Sequence, residues 1–166
     1  MLRLYRERKR HFAYLKYVLR HKYHVFRAGM LLGVPIWQLV IHDLSKFSKV
    51  EWFAYAETFY EENGLPRYKE SYEFSAAWNH HQKVNPHHWQ YYQLVWDRGT
   101  KTILPIPINY LLEMLADWSG AGKVIADTYS PIAWVSANDE ILKANLEEHT
   151  YYVVMALMRM TDWSSL

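Results

Sequence analysis

The sequence contains no cysteine. That excludes disulfides and thiolate metal sites, and it leaves His, Asp and Glu to hold any metal. It also fits a reducing compartment, so the expected location is cytoplasmic. Long apolar runs are missing as well. The longest uncharged run in the first part of the chain, Ala28 to Ile41, holds 14 residues, against roughly 20 for a membrane span. No apolar segment of signal-peptide type follows the basic start, and no membrane partner is expected. A Gly-rich phosphate loop and a Gly-x-Ser-x-Gly word are both absent, and without cysteine there is no thiol nucleophile. The word "HKYH" at 21–24 lacks the Glu of a zinc-protease helix and has one residue too few. The net charge of +2 points to no class of partner.

What is present is apolar and aromatic. Of 166 residues, 51% are hydrophobic and 22% charged, enough for a real core in one compact domain over residues 1–166. Eight Trp, fourteen Tyr and six Phe fit core and helix-seam packing, or a pocket for a flat ligand. So many aromatics also make a homo-oligomer an expectation. Arg3, Arg6, Arg8, Lys9 and Arg10 form a basic start, opposed only by Glu7. They suit a solvated helix face, or contact with a nucleic acid or a phosphorylated ligand.

The periodicity is helical. Tyr14, Tyr17, Val18, His21, Val25 and Ala28 recur at steps of three and four, which predicts a helix over 2–32. Gly33 stops it, and Pro35 opens a second helix over 35–46. Ser48 with Glu51 three residues on reads as a capping box, starting a third helix that ends at Asn63-Gly64. A fourth is expected over 67–83, interrupted by Asn85-Pro86. Asp97-Arg98-Gly99, between two short β-prone runs, predicts a small hairpin near 93–104. A fifth helix follows over 107–125, and a last long one from Ala137 or Asn138 to Met160. The fold class is all-α.

Nine His is a high count. His42 and Asp43, in "LVIHDLSKF", close the second expected helix. Adjacent residues on a helix diverge by about 100°, so they share a metal only with an ion near the axis end and other helices completing the shell. His21 and His24, His80 and His81, His87 and His88, and Asp117 are the available partners. Imidazoles and carboxylates together suit one or two divalent ions among Mn, Fe, Zn, Ni, Co or Mg. Glu113 lies one turn before Asp117 on the same face and is placed to orient a ligand His.

The order His, His-Asp, His, His, Asp resembles the HD-domain superfamily, helical metal-dependent phosphohydrolases with a minority of di-iron oxygenases. The resemblance implies an HD-like helical bundle with His21, His42, Asp43, His81, one or both of His87 and His88, and Asp117 as metal ligands, Asp43 bridging. At closer range, "HDLSKF" and "NPHHWQYY" look like an uncharacterised bacterial and phage family of unknown function, over roughly residues 12–125. Its pattern prefers His21 to His24 and His81 to His80, and does not separate His87 from His88. Lys46, three residues after Asp43, resembles the "HD-x-x-K" of cyclic-dinucleotide phosphodiesterases and dinucleoside-polyphosphate hydrolases, where it neutralises phosphoryl charge. The "Gly-Tyr-Pro" word of the cyclic-dinucleotide enzymes is absent.

The expected activity is metal-dependent hydrolysis of a small phosphate ester, a nucleotide or nucleotide-derived signal, through a metal-activated hydroxide. Lys46, Asp43 and Glu113 are the expected catalytic residues. The alternatives are an HD-type di-iron oxygenase and a non-catalytic, metal-stabilised binding module.

Overall fold

The computed structural model describes residues 7–166. Arg3, Arg6 and the expected helix start at residue 2 lie outside the described residues. Eight α-helices are described: α1 (Arg8–Leu32), α2 (Ile36–Ile41), α3 (Lys49–Phe59), α4 (Tyr72–Val84), α5 (Ile108–Ala126), α6 (Ile132–Ala137), α7 (Asp139–Asn145) and α8 (Glu148–Met160). The two strands, β1 (Gln93–Val95) and β2 (Lys101–Ile103), pair antiparallel with Gln93 opposite Ile103. Their turn carries Gly99 at φ 80°, a left-handed conformation that glycine adopts at little cost. The all-α expectation holds, with the hairpin where the turn signal put it.

The long helix α1 buries Tyr14, Val18, His21, Val25 and Ala28, the stripe its periodicity marks. It ends at Gly33 in the left-handed region, with Val34 N donating to Gly29 O at 2.9 Å, a Schellman-type stop. Its partner is α5. A Cβ on Gly120 would sit 2.5 Å from Val25 Cγ2 and 2.7 Å from Val25 N. Glycine there lets the two backbones cross at close range. Tyr14, Val18, Tyr55, Ala56 and Ala77 form an aromatic core between α1, α3 and α4. Leu111, Leu115, Leu142, Val154 and Met158 form an aliphatic one between α5, α7 and α8.

Several expectations are corrected. The second helix does not run to 46. It stops at Ile41, His42 is extended (φ −46°, ψ 127°), Asp43 is left-handed (φ 57°, ψ 22°), and a 3₁₀ turn follows over Leu44–Phe47. The apolar spacing continues through the break, which hides it. The fourth helix starts at Tyr72, capped by Ser71. Residues 60–69 instead fold back on the end of α3, with Arg67 N on Phe59 O and Lys69 N on Thr58 O. The last helix is broken: Glu147 accepts from His149 N and Thr150 N and so starts α8 separately from α7. The capping box is half made. Ser48 Oγ accepts from Glu51 N at 3.4 Å, but the Glu51 carboxylate binds two histidines elsewhere. Arg10 is not on a solvated face; it is buried, and its Nε donates to Tyr60 O at 2.9 Å.

Candidate metal centre

The break after α2 is what makes His42 and Asp43 a pair. On a continuous helix their side chains would point apart. Here an extended residue is followed by a left-handed one, and His42 Nε2 lies 3.5 Å from Asp43 Oδ2. Asp and Asn are the non-glycine residues that most readily take this conformation. The 3₁₀ turn then brings Lys46 Nζ back onto Asp43 Oδ2 at 2.5 Å. A second adjacent pair, His87 and His88, reaches inward by the same means, because Asn85–His88 is a turn closed by His88 N on Asn85 O at 3.1 Å. The third pair, His80 and His81, stays helical. Only His81 points inward, and His80 leans out onto the other oxygen of Glu51.

The two oxygens of Asp43 face two clusters. Around Oδ2 stand His21 Nε2 at 3.4 Å and His42 Nε2 at 3.5 Å, with Asp117 Oδ1 2.9 Å from His21 Nε2 and 3.5 Å from His42 Nε2. Around Oδ1 stand His81 Nε2 at 3.3 Å and His87 Nε2 at 3.4 Å, with His88 completing that group. In each cluster the potential ligand atoms lie within 4.8 Å of one another. The contact between His21 and Asp117 follows from the helix crossing at Gly120, since each residue lies about one turn from the point where α1 and α5 touch.

Nε2 of His21, His42, His81, His87 and His88 is buried without a hydrogen-bond partner, and so is Asp43 Oδ1. Buried polar atoms are rarely left this way. On the far side of three of these rings, those of His42, His81 and His87, the bonding is satisfied, whereas His21 Nδ1 is also buried without a partner. His42 Nδ1 donates to Glu113 Oε1 at 2.8 Å, His87 Nδ1 lies 3.2 Å from the same oxygen, and His81 Nδ1 donates to Glu51 Oε2 at 2.8 Å. Gln38 Nε2 donates to Glu113 Oε2 at 2.5 Å and holds that carboxylate in turn. A carboxylate at Nδ1 puts the ring proton there and leaves a lone pair on Nε2, the arrangement by which proteins aim histidines at a metal. These buried His, Asp and Glu groups can hold a metal ion.

A model of the family described as "Family of unknown function (DUF5662)" matches residues 10–160. The chain belongs to this family. No curated protein and no solved structure matches it. The matched span takes in every residue of the two clusters of this family member.

Charge supports the same reading. Burial alone would raise the pKa of Asp43, but His42 and the Lys46 ammonium outweigh it and hold the group well below the usual carboxylate range. Burial would lower that of His42, yet Asp43 and Asp117 raise it; His87 is raised against burial by Asp43 and Glu113. His88, half-buried beside His87, is pushed well down by loss of solvent and by that neighbouring ring. Asp43, Asp117, Glu51 and Glu113 bring four carboxylates to one buried region, and the Lys46 ammonium is bonded to Asp43. Such a site draws in positive charge, as protons or as a cation.

All the histidines expected as ligands converge, and His87 and His88 both do so. His24 stands apart, its Nδ1 2.7 Å from the Tyr129 hydroxyl, and His149 is exposed at the start of α8. Glu51 was missed as a site residue because its spacing from Ser48 already explained it as a cap. A cavity of about 570 Å³ opens onto the centre, lined there by His21, Lys46, His81, His88 and Asp117. Trp78 stacks on His81 (5.7 Å, 21°) and Tyr17 on His21 (6.1 Å, 4°), and both rings face this cavity.

Proposed function

We propose that the protein is a metal-dependent phosphohydrolase of the HD type, acting on a small phosphate ester of nucleotide character. The observation that carries this reading is Asp43, one buried carboxylate whose two oxygens face separate groups of unpartnered imidazole nitrogens beside a buried ammonium and an open cavity. The order of these residues along the chain resembles that of the HD-domain superfamily.

Divalent ions held by such a set supply a water of lowered pKa and Lewis-acid polarisation of a phosphoryl oxygen. His21, His42 and Asp117 would hold one ion, His81, His87 and His88 the other, and Asp43 both. Glu113 fixes the ring planes of His42 and His87, and Glu51 that of His81. Lys46 holds Asp43 in its unusual backbone position and puts a positive charge at the cavity wall. There it offsets negative charge that gathers on phosphoryl oxygens during transfer.

The test is metal analysis of the purified protein, reloading with Mn, Fe, Zn, Co, Ni or Mg, and phosphate release from a panel of phosphomonoesters and nucleotides. The expected result is bound metal and metal-stimulated release, both abolished in Asp43→Ala and His42→Ala. Oxygen consumption by the iron-loaded protein without phosphate release would replace this reading with an oxygenase. Metal-dependent melting with no product would leave a binding module.

A further inference from the structure

Residues 36–47 present an inside-out surface. Their exposed side chains are all apolar: Ile36, Trp37, Val40, Ile41, Leu44 and Phe47. Of the buried ones, Leu39 is apolar, and Gln38, His42, Asp43 and Lys46 are polar. The metal centre explains the polar groups, which turn inward to it or to Glu113. It does not explain the apolar ones, which stand in water at a cost. We propose that this face pairs with the same face of a second copy of the chain.

The area suits that partner. The six side chains, and Val84 beside them, are each 42–58% exposed. Together they offer roughly 750 Å² of surface, close to the ~800 Å² that one partner supplies to a stable interface. The chemistry suits it too. No charged side chain among residues 36–47 is exposed, so the face selects neither an acidic nor a basic partner. An apolar face complements itself, and a two-fold axis lays the same residues on both sides. Faces that lie on lipid instead carry Lys and Arg next to their apolar residues.

The pairing also closes a second opening on the centre. A cavity of about 520 Å³ is lined by Trp37, Ile41, Leu44 and Val84 and reaches Gln38, His42, His87 and Glu113. Water entering there competes for the Glu113 carboxylate that Gln38 and His42 share. A second copy laid over the groove keeps those hydrogen bonds dry.

Sedimentation equilibrium of the full chain reads the mass in solution. The unsubstituted protein should sediment at twice the 20.0 kDa of one chain at micromolar concentration. Val40→Glu puts a carboxylate in the middle of the pairing face, where the dimer would bury it unpaired. It should raise the dimer dissociation constant by about tenfold or more. Ile36→Glu should do the same. That position is in the first turn of α2, where a carboxylate favours the helix, so the monomer keeps its fold, as circular dichroism reads. Met160→Glu, at an exposed position at the end of α8, should leave the dimer intact. A monomer at every concentration, or a dimer that tolerates both Val40→Glu and Ile36→Glu, overturns the proposal. So does a monomer that binds phosphatidylcholine–phosphatidylglycerol vesicles and loses them in Val40→Glu, which assigns the face to lipid instead.

Discussion

At the scale of residues, the centre depends on how neighbours in sequence are made to point the same way. Asp43 manages it with a left-handed backbone and His87-His88 with a turn, while His80-His81, left helical, sends only one ring inward. Three of the rings that point inward also have their other nitrogen fixed by a carboxylate. Glu51 does this for His81 alone, whereas Glu113 serves His42 and His87. Glu51→Gln should therefore lower metal affinity at the His81 cluster by about 10–100-fold and spare the cluster of His21, His42 and Asp117. Metal-to-protein ratio measured against added metal distinguishes this from uniform loss. Equal loss at both clusters would mean that Glu51 stabilises the fold rather than aiming one ring.

At the scale of elements, the decisive contact is the crossing of α1 and α5 at Gly120. A methyl group there meets the Val25 backbone, which has no side-chain freedom to yield. Gly120→Ala should cost about 1–3 kcal/mol, as overpacking does, and should weaken metal binding by moving His21 from Asp117. Denaturant unfolding and metal titration read the two effects separately. At the start of α8, backbone N–H groups of Thr150 and His149 hold the pKa of Glu147 below its ordinary 4.5. A depressed carboxylate stabilises the fold above the unfolded-state value, and that contribution is lost as the pH falls through the folded-state one. Glu147→Ala should thus lower Tm at pH 7 and make little difference well below pH 4, as thermal melts across that range would reveal.

At the scale of the whole molecule, the centre joins α1, the end of α2, α4, the turn after it, and α5. Of these segments, α1 and α4 also build the aromatic core and α5 the aliphatic one. A ligand that binds only the folded state stabilises it, and here it would tie five segments together. Chelation of the metal should lower Tm and restoring a divalent ion should raise it, whereas Asp43→Ala should melt at the same temperature with and without chelator. A melting temperature indifferent to chelation in the unsubstituted protein would remove the metal from the account of its stability. Among the described residues no helix is long and apolar enough to cross a membrane.

Much of this was legible from the chain alone because it depends on short-range physics. The missing cysteine restricted ligands to His, Asp and Glu. The 3.6-residue spacing marked the buried stripe of α1, Gly33 and Pro35 marked its end, and Asp97-Arg98-Gly99 marked the hairpin. The order of His and Asp pointed to a shared site. Other features were invisible because their causes lie far off in sequence. Apolar spacing runs through residues 36–47 whether or not Asp43 breaks the helix, and the break is tied down by a buried cluster drawn from α1, α4 and α5. Glu51 satisfies a local capping pattern, yet its carboxylate answers to His81, 30 positions away. The cavity belongs to no single element. Backbone hydrogen bonds and periodicity act over a few residues and can be read locally, whereas burial, charge pairing and empty space exist only once distant segments meet.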